Sequence, residues 1–118
     1  MSARAETRLW LAQRLSAAVL ALCVVVHLAT IVYAVRGGLS AAEILGRTRG
    51  SGAWMAFYLL FVASVSIHAP IGVRTVLREM TAWRGRSLDI AVGLLGVVLA
   101  ALGLRAAFAV FGWGAVLV

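Results

Sequence analysis

Acidic side chains are scarce in this chain, and lysine is missing altogether. Four Asp/Glu stand against eleven basic residues, every one an arginine, for a formal charge of +7. The only cysteine, Cys23, excludes an internal disulfide, and its place between Leu22 and Val24 makes it a small packing hydrophobe. The lack of carboxylates excludes more. A zinc centre wants three or four ligands, and the chain offers two histidines, one cysteine and acids near or outside the ends of its apolar runs. Proton or ion conduction normally needs carboxylates in mid-membrane, where this chain has none. The single proline, Pro70, lies inside an apolar run, where it kinks a membrane helix rather than ending it. No cleaved leader is expected either. The first apolar run is too long for a signal-peptide core and no convincing small-residue cleavage site follows it, which predicts a retained first span.

What is present is apolar: 64% of the residues, gathered in three runs. Spans are expected over about 9–35, 53–77 and 88–111, each long enough to cross a bilayer. Residues 1–118 then form a single transmembrane domain, all-α and a three-span bundle, with no room for a separate soluble domain. Arg36 to Gly52, with five glycines and three arginines, reads as a loop carrying one short interfacial helix over Ser40 to Leu45. Arg78 to Asp89 reads as a polar connection. The arginines edge the apolar runs instead of covering a soluble body, which excludes a nucleic-acid binder. Arg4, Arg8, Arg14, Arg74, Arg78, Arg84 and Arg86 fall on one side, seven against the four of Arg36, Arg47, Arg49 and Arg105. That bias predicts a cytoplasmic N-terminus. Trp10, Trp54, Trp83 and Trp113 fall near span ends, where an indole suits the lipid–water boundary. Gly93, Gly96, Ala100 and Gly103 form a nearly bare face on the third span, read as close helix packing.

Two histidines interrupt the apolar runs, and an imidazole in lipid needs a compensating partner. Helical spacing stacks Gln13, Ser16, Leu20, Cys23 and His27 on one face of the first span, and Ser64, His68, Gly72, Thr75 and Glu79 on one face of the second. With metal clusters and conduction set aside, haem is the group that best uses an imidazole on each of two facing helices. Its propionates would want arginines near the surface, which Arg14 and Arg74 supply. Measured from the same side, His27 lies roughly 20 Å up its helix and His68 roughly 14 Å up its own. That offset disfavours both histidines on one iron. Packing histidines, hydrogen-bonded to a hydroxyl or carbonyl of a neighbouring helix, are the competing interpretation.

Two short motifs resemble those of the membrane-anchor, cytochrome b subunits of succinate dehydrogenase and fumarate reductase complexes. Gln13-Arg14-Leu15-Ser16 is similar to that family's His-Arg-x-Ser-Gly. His68-Ala69-Pro70-Ile71-Gly72-Val73-Arg74 is similar to its His-x-x-x-Gly-x-Arg, with Glu79 where a following acid would stand. The resemblance covers about residues 9–111. It implies His68 as an axial ligand of haem b, Arg14 beside a propionate and the quinone headgroup, Ser16 as the motif serine and Arg74 as the second-span arginine. Trp10 stands one turn before Arg14, where one subfamily has a quinone-contacting serine. Gln13, Ala17 and Thr75 replace a histidine, a glycine and a second histidine of the pattern. His27-Leu28 resembles the first-span axial site of two-haem anchors, so one or two haems per membrane domain stay open.

The resemblance implies a haem- and quinone-binding anchor that relays electrons and is not an enzyme by itself. An iron–sulfur subunit and an FAD flavoprotein would supply the remaining redox centres. A second anchor subunit, or a second copy of this chain, would complete the bundle in a bacterial cytoplasmic membrane, among lipid and quinone. The alternatives are a haem-free structural or assembly anchor and, more remotely, a small transporter or channel component.

Overall fold

The structure is a computed structural model that describes residues 2–112, so Trp113 lies outside the described residues. Four helices follow one another: α1 (Ala3–Arg36), α2 (Ala41–Thr48), α3 (Gly52–Met80) and α4 (Arg86–Phe111). Three of them, α1, α3 and α4, are long and apolar enough to cross a membrane. The expected all-α bundle of three spans is therefore what the chain forms.

Three of the four helices start at a serine cap, Ser2, Ser40 and Ser51, whereas α4 starts at Gly85 with no side-chain cap. Ser2 caps α1 by accepting a hydrogen bond from the Ala5 amide, and Glu6 sits favourably in the first turn. That cap draws the polar opening residues into the helix, six residues ahead of the expected span. At about 1.5 Å per residue α1 is about 51 Å long, well beyond a hydrocarbon core of about 30 Å, so part of it projects into the headgroup region. α2 has a reciprocal capping box: Ser40 Oγ accepts from the Glu43 amide, and Glu43 Oε1 accepts from the Ser40 amide. It runs three residues past the short helix expected, and its last turn is anchored to α4. Thr48 Oγ1 donates to the Val110 carbonyl at 2.8 Å, and the Gly50 amide donates to that of Phe111.

α3 is the central helix, with α1 on one side and α4 on the other. Pro70 lies within it without ending it. The proline supplies no amide to the Ser66 carbonyl one turn earlier, and Gly96 of α4 packs at that gap. A Cβ on Gly96 would stand 3.1 Å from Pro70 Cγ and 3.2 Å from the Ser66 oxygen. One turn pair further along, Gly103 lies under Val62. The bare face of α4 thus packs as expected at Gly96 and Gly103. Gly93, on the same stripe, has nothing within 4 Å of a Cβ position.

The bundle is a slab, 49 × 31 × 24 Å, and its radius of gyration of 17.2 Å exceeds the roughly 13.5 Å expected of a globule this long. At most 11% of the residues in the most apolar stretch of any span are buried inside it. Three spans leave most of their apolar surface for lipid or for other helices.

Candidate functional site

The contacts between α1 and α3 set their register. Gln13 fills the space above Gly72, with its Nε2 3.2 Å from where a Cβ would stand. At the other end the His27 ring meets Tyr58 and Phe61 edge-on, with centroids 5.9 and 5.4 Å apart. In this antiparallel register 13 pairs with 72 and 27 with 58, so His68 lies level with Ala17 of α1. On α4 it lies near Val97 and Val98, by the pairings of Gly96 with Pro70 and Gly103 with Val62. Among the described residues no second imidazole, thiol or carboxylate lies at that height. His27 is displaced along α3 by the seven to ten residues between Phe61 or Tyr58 and His68, about 10–15 Å. The two histidines cannot share one small ion or one iron, as their expected depths suggested. Among the described residues no group of three or more His, Cys, Asp or Glu is assembled for a metal.

His68 forms the head of an apolar groove on the outer face of α3, of about 400 Å³, that continues past Ala69, Gly72, Val73 and Val76. Its Nδ1 is buried without a hydrogen-bond partner. Leaving a buried ring nitrogen unpaired costs free energy, so the site is incomplete in the chain alone. A second groove of about 400 Å³ shares Gly72 and Val76 with the first and reaches Trp10, Gln13, Thr75 and Arg74. Gln13 Oε1 is also buried and unpaired. Arg14 lies over the Trp10 indole, its Cζ 5.1 Å from the ring centroid, without itself lining the groove. Ser16 is placed differently. It is buried between the helices and its hydroxyl donates to the Gln13 carbonyl at 3.1 Å, outside both groove linings.

Arg74 is nearly buried and carries a cluster of charge that the two motifs do not announce. Its Nε donates to Asp89 Oδ1 at 2.9 Å, and Nη2 lies 3.9 Å from Glu6 Oε1. Arg78 Nη1 reaches the same Glu6 oxygen at 3.5 Å. One arginine therefore ties α3 to α4 and to the first turns of α1, while Glu79, the acid of the motif comparison, is exposed. Asp89→Asn is expected to lower the unfolding free energy by about 1–2 kcal/mol, since the arginine is buried but the carboxylate is half-exposed. Thermal unfolding in detergent measures this, and an unchanged midpoint would show the pair to be energetically idle.

His27 belongs to a separate site. Around it Trp54, Phe57, Tyr58 and Phe61 form an aromatic cluster in which Trp54 and Tyr58 stack at 5.8 Å. His27, Trp54 and Tyr58, with Thr30, Tyr33, Arg47 and Thr48, line a half-open cavity of about 520 Å³ bordered by α2. The Thr30 hydroxyl donates to the backbone carbonyl of His27 at 2.7 Å, not to its ring. Above them Arg47 Nη1 donates to the Tyr33 hydroxyl at 3.3 Å, a contact that raises the Arg47 pKa above its ordinary value.

Of the residues expected to carry function, the fold gathers His68, Trp10 and Arg74 along two adjoining grooves and sets Arg14 against Trp10, outside both linings. It keeps Ser16 between helices and puts His27 elsewhere. Glu6, Asp89, Gln13, Tyr58 and Arg47 complete these sites without a motif to mark them. Only Gln13 carried a signal, as the departure from the first motif.

Comparison with curated proteins and with solved structures gives no match. A family comparison does: residues 1–111 match the pattern of the succinate dehydrogenase/fumarate reductase transmembrane subunit. That match takes in every described helix and both grooves, and the chain belongs to this family of membrane subunits.

Proposed function

We propose that this subunit is a haem b- and quinone-binding anchor, relaying electrons between an iron–sulfur subunit and the quinone pool of a succinate dehydrogenase or fumarate reductase-type complex. The observation that carries the proposal is the His68 site: an unpaired imidazole nitrogen at the head of a groove that joins, through Gly72, a second groove bounded by Trp10, Gln13 and Arg74. Haem iron bound there would supply one-electron transfer. His68 would hold the iron, and a second protein ligand would come from a partner anchor or a second copy, since none faces His68 among the described residues. Arg14 is the better placed of the two propionate candidates, because Arg74 is already engaged by Asp89 and Glu6.

In the second groove Trp10 offers a flat wall for a quinone ring. Arg14, packed on that indole, would donate to a quinone oxygen and stabilise negative charge developing there. Ser16 acts through Gln13, holding its carbonyl and hence its side chain in place. The N-terminus faces the cytoplasm, so that the arginine-rich end meets the iron–sulfur subunit, which an FAD flavoprotein feeds. The membrane is the bacterial cytoplasmic membrane. In this reading His27 lies outside the haem of His68, and a haem bound to it would be a second one in the cavity bordered by α2.

A reduced-minus-oxidised visible spectrum of the purified complex tests the proposal. A b-type band is expected, retained at full intensity in His27→Ala. Absence of the band in the unmodified complex overturns the haem reading in favour of a haem-free anchor. Loss of half the band in His27→Ala establishes a second haem instead.

A further inference from the structure

A second apolar groove flanks the His27 cavity, and the two meet at one polar end. The cavity runs down α1 along Ile31 and Ala34 and is topped by Arg47. The neighbouring groove runs along Val25, Leu28 and Val32 and is topped by Arg36. Tyr33 and Leu39 line both and stand between them. From Val25 to Arg36 the helix rises about 16 Å, close to the roughly 15 Å of one leaflet's hydrocarbon. The cavity's α1 lining, from His27 to Ala34, rises about 10 Å, and two mostly apolar channels under a pair of guanidiniums match an amphiphile with two tails and one negative head.

We propose that this end of the protein seats a single anionic diacyl phospholipid, its phosphate between Arg36 and Arg47 and one acyl chain in each groove. The charge balance favours an anion. Arg36 and Arg47 are exposed and neither forms a close ion pair among the described residues, Glu43 adding only a through-space attraction at Arg47. Glu43 is the acid nearest in sequence, one turn before Arg47 on α2. Its carboxylate is directed to Ser40, accepting from the hydroxyl at 3.1 Å. The Tyr33 hydroxyl, already accepting from Arg47, keeps its own proton to donate to a phosphate oxygen. Apolar walls bind the tails without regard to charge, so discrimination between lipids rests on the head. The inference is independent of the haem at His68, but it puts an acyl chain where a second haem at His27 would lie.

Native mass spectrometry of the intact complex, released from nanodiscs with equal phosphatidylglycerol and phosphatidylcholine, tests this. One phosphatidylglycerol per copy of this chain is expected to stay bound. In Arg36→Gln/Arg47→Gln its retention should fall about tenfold, with the visible spectrum and subunit composition unchanged. Arg4→Gln/Arg8→Gln, a charge-matched change at the opposite end, should retain it. Equal retention of phosphatidylcholine in the unmodified complex, a measurement that needs no variant, overturns the proposal. So does undiminished phosphatidylglycerol in the double variant, or a haem or quinone recovered from the cavity through loss in His27→Ala.

Discussion

Replacing His68 by alanine should abolish the b-type band of the complex assigned to this chain's haem and lower quinone-linked electron transfer by at least roughly a hundredfold. The expectation rests on register as much as on residue type. His68 lies level with Ala17 of α1 and near Val97 of α4, so among the described residues no neighbouring side chain is placed to take over as ligand. The buried Nδ1 has no partner that a packing role would require, so truncation removes no hydrogen bond and should leave the three spans helical by circular dichroism. His68→Gly sharpens the test. Exogenous imidazole should restore part of the band if the side chain is a ligand, and should do nothing if it only fills space. A full band in His68→Ala would move haem binding, if present, to another part of the complex.

The second large effect lies in the seam between α3 and α4. A Cβ on Gly103 would stand 2.7 Å from both methyl carbons of Val62 and 3.2 Å from its Cβ. A β-branched neighbour has one preferred rotamer in a helix and cannot swing aside cheaply. Gly103→Val should therefore force the helices apart at a cost of about 1–3 kcal/mol or more, read as a lowered unfolding temperature of the complex. Gly93→Ala is the matched control. It lies on the same stripe with nothing within 4 Å, and replacing a mid-helix glycine with alanine should leave stability unchanged or raise it by up to about 1 kcal/mol. Equal losses in the two variants would show that the stripe matters through glycine itself and not through close approach at Gly103.

The spans were legible in the sequence because hydropathy sums along one chain. Three long apolar runs edged by arginine leave a membrane helix little alternative. Helix ends were less so: the Ser2 cap adds six residues to α1, and the Ser40–Glu43 box with the Thr48 contact to Val110 carries α2 past Leu45. The arginine of the second motif was visible, but its partners were not. Asp89 is fifteen residues from Arg74 along the chain, and Glu6 comes from the far end, so only helix packing brings the three together. The aromatic surroundings of His27 were hidden for the same reason, since Tyr58 and Phe61 belong to the next span.

Composition and pattern alone were enough to make this a three-span, arginine-edged membrane subunit with two histidines at unequal depths. Helix packing decided what those histidines face. Gln13 over Gly72 and His27 against Tyr58 lock α1 onto α3, while Gly96 and Gly103 let α4 approach from the other side. Hydropathy is indifferent to a one-turn slide between two apolar helices, whereas interlocking side chains and bare glycines are not. That locking leaves His68 without a ligand opposite it among the described residues and puts His27 in a cavity of its own.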